Sequence, residues 1–163
     1  MTNTNKKGFT LIEMLVVVAV ISILSGLTLT GIGGFTSRAR DTRRIGDVRN
    51  IQNYVETYFS RCGHYPGDGT CDPAAAPSNW ADFQDIIDDA VSLKVPQDPV
   101  ANRTYFYGHE PTRLQYIIGA QLENDHNSLD EAGEVDDTSG FTLVPSGASS
   151  TCDDGDRGYC ISN

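Results

Sequence analysis

Between Phe9 and Leu29 the chain carries a single charged residue, Glu13. About 20 consecutive apolar residues is the length that spans the hydrocarbon core of a bilayer as a helix. A carboxylate near the start of such a stretch is expensive, roughly 2.5–3.5 kcal/mol at a helix centre on insertion scales. After Glu13 no basic residue follows until Arg38, so a counter-charge within the same segment is missing. The acid therefore points to a partner outside the chain, and the stretch to a protein that sits in a membrane and packs against copies of itself.

Three signals fit an apolar amino-terminal segment. A secretory signal peptide has a core of roughly 7–15 apolar residues and a small-residue cleavage site; Phe9–Leu29 is too long, and Ser25-Gly26 precedes no natural mature start. A plain signal anchor fits the length but gives no reason for Gly8 or Glu13. The third is a short basic leader, Lys6-Lys7-Gly8, cut after the glycine, with the apolar segment kept in the mature protein. The string Gly8-Phe9-Thr10-Leu11-Ile12-Glu13-Met14 resembles the leader and mature start of type IV pilins and type II secretion pseudopilins. The resemblance implies cleavage after Gly8, N-methylation of Phe9, and an assembly role for Phe9 and Glu13. It implies residues 1–8 as cytoplasmic leader, 9–30 as transmembrane and filament-core helix, and 31–163 as an amphipathic helix half plus globular head. The fold expected is α+β and lollipop-shaped, a long amino-terminal helix with a small antiparallel β-sheet head.

Ile45, Val48, Ile51, Val55 and Tyr58 or Phe59 recur at three- and four-residue spacing, the stripe of an amphipathic helix. One helix from Phe9 to about Ser60 would be about 75–80 Å long. Gly26, Gly31, Gly33 and Gly34 interrupt it, either as close helix–helix contacts in the membrane or as a segment that bends on assembly. Cys62-Gly63-His64-Tyr65-Pro66-Gly67 is turn chemistry and ends it. Trp80–Leu93 reads as a short helix with Phe83, Ile86, Ile87 and Ala90 on one face. Val95–Pro99 reads as a rigid loop, Thr104–Tyr107 and Leu114–Ala120 as a hairpin around Pro111, and Phe141–Val144 as a candidate third strand. The stretch from Val95 through Tyr107 resembles the G-type branch of the family.

Charge is unevenly divided. Arg38, Arg40, Arg43, Arg44 and Arg49 crowd just beyond the apolar segment, whereas from Cys62 onward eighteen Asp and Glu face four Lys and Arg. Such a head repels nucleic acid. The arginines read either as a solvated face near lipid headgroups or as counter-charges for the acidic heads of neighbouring subunits. They also outnumber Lys6 and Lys7, so a simple positive-inside count is overruled by the leader.

The cysteines fall as Cys62 with Cys71 and Cys152 with Cys160. Zinc pairs need two-to-four-residue spacings, which neither pair has; an exported domain would form disulfides. Four cysteines allow three connectivities, of which adjacent pairing is the simplest. A disulfide-bounded loop near the carboxyl terminus resembles type IV pilins more than major pseudopilins. The acidic run 123–137 supplies Asp125, Asn127, Asp130 and Glu134 as candidate calcium ligands, and G-type pseudopilins bind calcium in such a region; a solvated acidic loop is the plainer reading. Asp153, Asp154 and Asp156 are a fainter second set. His64, His109 and His126 share no ligand spacing, no catalytic motif is present, and Asn102-Arg103-Thr104 is an isolated sequon.

The expectation is therefore a structural subunit with no enzymatic activity and no required cofactor. Its expected partners are further copies in a helical filament, a prepilin peptidase/methyltransferase, an inner-membrane assembly platform and the lipid bilayer before assembly. It is placed in the cytoplasmic membrane first and in a surface or periplasmic filament afterwards. The alternatives are a type II secretion pseudopilin and a monomeric membrane-anchored binding domain.

Overall fold

The computed structural model describes residues 8–29, 32–67, 76–130, 135, 137–145 and 152–163, with backbone alone at 27–29, 32, 33, 130 and 154. The chain divides into two compact units, Met1–Thr36 and Ser37–Asn163.

The first unit holds α1 (Leu11–Leu29) and the opening turn of α2 (Ile32–Cys62). The single long helix expected from the sequence is thus described as two, and their junction, Thr30 and Gly31, lies outside the described residues. Gly26 and Gly34 sit within helices, and a Cβ on either would meet nothing within 4 Å.

In the second unit the α2 stripe is as expected: Ile45, Val48, Ile51, Val55 and Tyr58 are all buried. The helix stops at Cys62 because Gly63 takes φ +74° and its N–H donates to the Phe59 carbonyl at 2.8 Å, closing the last turn. Helix α3 (Trp80–Val91) starts where Asn79 accepts from the Asp82 N–H, while the Asp82 carboxylate reaches back to the Ser78 N–H at 3.1 Å. It ends at Ser92, a left-handed residue whose N–H donates to the Asp88 carbonyl. Trp80, Phe83, Ile86 and Ile87 face the core.

Among the described residues four strands follow: β1 (Phe106–His109), β2 (Tyr116–Gln121), β3 (Thr142–Val144) and β4 (Gly158–Ser162), in antiparallel order β3-β1-β2-β4. The fold is α+β: amino-terminal helices and a small antiparallel sheet. The hairpin and the third strand are where the sequence placed them, while β4 was not foreseen. One face of the sheet, with Tyr107, Tyr116, Ile118, Tyr159 and Ile161, joins α2 and α3 in the main core, where Phe83 stacks on Tyr107 at 4.5 Å between ring centres. The other face carries Phe106, Ile117 and Cys160, covered by Cys152, Val135, Phe141 and Leu143. Gly119 sits opposite both Phe106 and Cys160. A Cβ there would lie 2.2 Å from the Phe106 ring and 2.8 Å from the Cys160 sulfur, so only glycine lets the ring meet the sulfur over β2.

Candidate assembly helix and the charge lock of the head

The feature in need of explanation is α1. Leu11, Ile12, Leu15, Val18 and Ile23 are all more than half exposed, as is Phe9 just before the helix. A row of large apolar side chains left open on one element marks a surface meant for lipid or protein. Among the described residues no helix is long and apolar enough to cross a membrane; the described side chains of α1 end at Gly26, and the apolar sequence runs on through Leu29.

Glu13 lies in the first turn of α1. Its Oε2 accepts from the Thr10 N–H and the Thr10 hydroxyl, both at 2.9 Å, and its own N–H donates to Thr10 Oγ1 at 3.3 Å. This is a capping box, in which the first helical turn supplies its own missing partners. Gly8 and Phe9 precede it in open surroundings, and leader residues 1–7 lie outside the described residues.

In the head, Arg40 and Arg44 depart from the solvated face expected of the arginine cluster, while Arg38, Arg43 and Arg49 are exposed. Arg44 is fully buried. Its Nε and Nη2 donate to the two oxygens of Asp98 at 2.7 and 3.0 Å, and its Nη1 donates to Asp41 and Glu123, each at 2.8 Å. Asp41, also buried, accepts the backbone N–H groups of Glu123 and Asn124 at 2.8 and 2.9 Å and the Asn124 side-chain amide at 2.8 Å. Arg40 forks onto Glu123. Arg43 pairs with Asp47 one turn on. The reason for the difference is geometric: positions 40, 41 and 44 share the α2 face that meets Asp98 of the 95–99 loop and Glu123 and Asn124 just after β2, and a buried charge is tolerable only when fully paired. Hydrogen bonds from Arg40, and then from Arg44, hold the Glu123 carboxyl down to about 2. Burial works against the Arg44 charge, but Asp98, Glu123 and Asp41 outweigh it and push its pKa above the ordinary value. Sequence reasoning missed the lock because its acids lie 54 and 79 positions from Arg44.

Buried tyrosines complete the wiring. Tyr105 donates to Asp47 at 2.7 Å, Tyr116 to Glu56 at 2.8 Å, and Tyr107 to the Pro66 carbonyl at 2.8 Å. Burial, reinforced by the Glu56 charge, pushes the Tyr65 phenol up to about 12.

Cys152 and Cys160 form a disulfide with Cα atoms 5.5 Å apart. No described cysteine is free; Cys71, the expected partner of Cys62, lies outside the described residues. Of the calcium candidates, Asp125 and Asn127 line an open basin with Arg38, Arg157 and His126. Glu134 and the Asp130 side chain lie outside the described residues. The nearest further carboxylates, Asp41 and Glu123, are committed to arginines. Among the described residues no cluster of three or more His, Cys, Asp or Glu could hold a metal ion.

Residues 3–29 match the family model of the prokaryotic N-terminal methylation motif, which covers Gly8, Phe9, Thr10 and Glu13. The chain thus carries the amino-terminal methylation motif and is similar to type IV pilins and to a type II secretion pseudopilin. It is 34% identical over 76 residues to a fimbrial protein of Neisseria meningitidis serogroup B, covering 47% of this chain and 45% of that protein. It is 34% identical over 77 residues to the type IV major pilin protein PilE of Neisseria gonorrhoeae, covering 47% and 46%. To the type II secretion system core protein G of Aeromonas hydrophila it is 27% identical over 108 residues, covering 63% of this chain and 73% of that protein. The chain thus spans a little under half the length of the pilins it matches. No solved structure matches it. The motif match lies in the amino-terminal segment, and the head carries the charge lock that no motif announces.

Proposed function

We propose that the protein is a structural subunit of a type IV pilus-like filament, inserted in the cytoplasmic membrane, freed of its leader and polymerised through its amino-terminal helix. The observation that carries the reading is the open apolar surface of α1 directly behind a methylation-motif junction. Cleavage after Gly8 frees the amino group of Phe9. Glu13 of one subunit attracts that amine on the next, in a medium of low dielectric where an ion pair is screened little. The apolar helices pack into a core, and a head-to-tail contact that does not close gives an open helical filament. A prepilin peptidase/methyltransferase performs the processing, an inner-membrane platform supports assembly, and the bilayer holds the subunit until then. The names of its relatives are those of structural proteins, which supports a subunit over an enzyme. The test is Glu13→Ala as the only copy in cells, with electron microscopy of sheared surface material. The subunit should still insert, since a charge leaves the apolar stretch, and filaments should be lost; wild-type filament yield contradicts the reading.

A second reading is a type II secretion pseudopilin, favoured by the 73% coverage of core protein G. It brings calcium with it at Asp125, Asn127, Asp130 and Glu134. Its mark would be a melting temperature raised more by calcium than by equal magnesium, the difference vanishing in Asp130→Ala. Magnesium demands a tighter octahedral shell and sheds water reluctantly, so it substitutes poorly at such a site.

A further inference from the structure

Glu13 is half-occupied. Both hydrogen bonds it accepts, from the Thr10 N–H and hydroxyl, land on Oε2, and among the described residues Oε1 accepts none. The carboxylate is thereby turned back toward the amino-terminal end of α1, the end at which cleavage after Gly8 creates the new amine. An unheld glutamate on an apolar helix would sample several rotamers, each equally short of donors. Here Thr10 fixes one rotamer, satisfies one oxygen and leaves the other open. We propose that Thr10 is the positioning residue of the assembly carboxylate: its hydroxyl and N–H hold Glu13 Oε2 in cis, so that Oε1 is presented, already ordered, to the amino terminus of a second copy.

The proposal rests on the reading of Glu13 as an assembly residue, and it adds a division of labour between the two oxygens. Ordering a side chain before encounter removes a cost that association would otherwise bear. The cis bonds also keep the charge solvated by the chain itself while the subunit waits in the membrane, where an unsatisfied polar group is costly. The hydroxyl carries both effects, because it alone bonds to Glu13 as acceptor and as donor. The Thr10 N–H would remain in any substitution but proline.

The experiment uses the full chain as the only copy in cells. Filament yield is normalised to processed subunit, counted by mass as chains beginning at Phe9. Thr10→Val keeps the shape and removes the hydroxyl; Thr10→Ser keeps the hydroxyl; Glu13→Ala is the reference. The expected result is a roughly five-fold lower filament yield for Thr10→Val, the scale of losing one cap, with the amount of processed, membrane-inserted subunit unchanged. Thr10→Ser should return the yield to near wild type. If Glu13→Ala is impaired while Thr10→Val assembles at or above the wild-type level, the positioning role is overturned and the assembly reading stands. A Thr10→Ser yield as low as that of Thr10→Val also overturns it, since the hydroxyl is then not the cause. A Thr10→Val loss that follows a fall in inserted subunit reduces Thr10 to a helix cap and overturns it too. Normal assembly by Glu13→Ala overturns the underlying reading of Glu13, a separate outcome read from a separate strain.

Discussion

Helix α1 and the head treat the same residue types in opposite ways. Ile21 on α1 is 56% exposed, whereas Ile51 on α2 is fully buried. Among the described residues Glu13 accepts hydrogen bonds on Oε2 alone, whereas both oxygens of Glu123 are taken by Arg40 and Arg44. The head has closed its own account of apolar surface and charge. Helix α1 leaves its large apolar side chains open. That difference separates a head with a closed core from a helix with an open apolar surface, and substitutions in each should be felt in different measurements.

The largest expected effect is in the charge lock. Arg44→Ala leaves Asp41 and Asp98 buried without their cation, and breaking a buried pair from one side costs about 3–5 kcal/mol. In a head beginning at Ser37 this should show as a much lower denaturant midpoint, with the segment after β2 losing part of its tie to α2 at Glu123. A midpoint near wild type would mean that the lock contributes little.

The paired isoleucines sharpen the comparison. Ile51→Ala should destabilise the head by about 2–5 kcal/mol, the range for emptying a packed aliphatic site. Ile21→Ala in the full chain should leave the head's unfolding unchanged and lower filament yield. Equal effects of the two on head stability would dissolve the division.

A smaller effect is expected from Cys152→Ser with Cys160→Ser. The bridge closes a loop over the outer face of the sheet, beside Phe106 and Ile117. Its loss should cost about 2–3 kcal/mol on the chain-entropy model, read as a lower melting temperature under oxidising conditions.

The smallest effect is a pH dependence. In the folded head Glu123 sits near 2, below its unfolded value of about 4.3. A depressed acid stabilises the fold above the unfolded pKa, and that contribution is lost as pH falls through the folded value. Its side chain is 18% exposed, so the contribution is on the order of 2 kcal/mol. Wild-type and Glu123→Gln heads should differ at pH 6 and converge near pH 2; a gap that stays constant across that window contradicts the assignment.

What the sequence disclosed followed from local pattern. The methylation junction, the α2 stripe from Ile45 to Tyr58, the face of α3 and the hairpin around Pro111 each depend on residues within a few turns of one another. The lock was illegible for the converse reason. Asp41 and Arg44 on an exposed-looking helix face read as ordinary surface charge, and only the folded chain brings Asp98 and Glu123 over them. Strand β4 offered just Tyr159 and Ile161 beside the Cys152–Cys160 loop, too short an alternation to announce itself. The Thr10-x-x-Glu13 cap, by contrast, was written in the sequence as a capping-box pattern, and was hidden only because Glu13 was weighed as a charge seeking a partner in another chain.

The most direct test of the whole account is the mass of the chain recovered from sheared filaments. The account predicts a polypeptide that begins at Phe9 and carries one methyl group on its amino terminus. Recovery of the chain with Met1 still attached, or beginning elsewhere within the apolar segment, would contradict it.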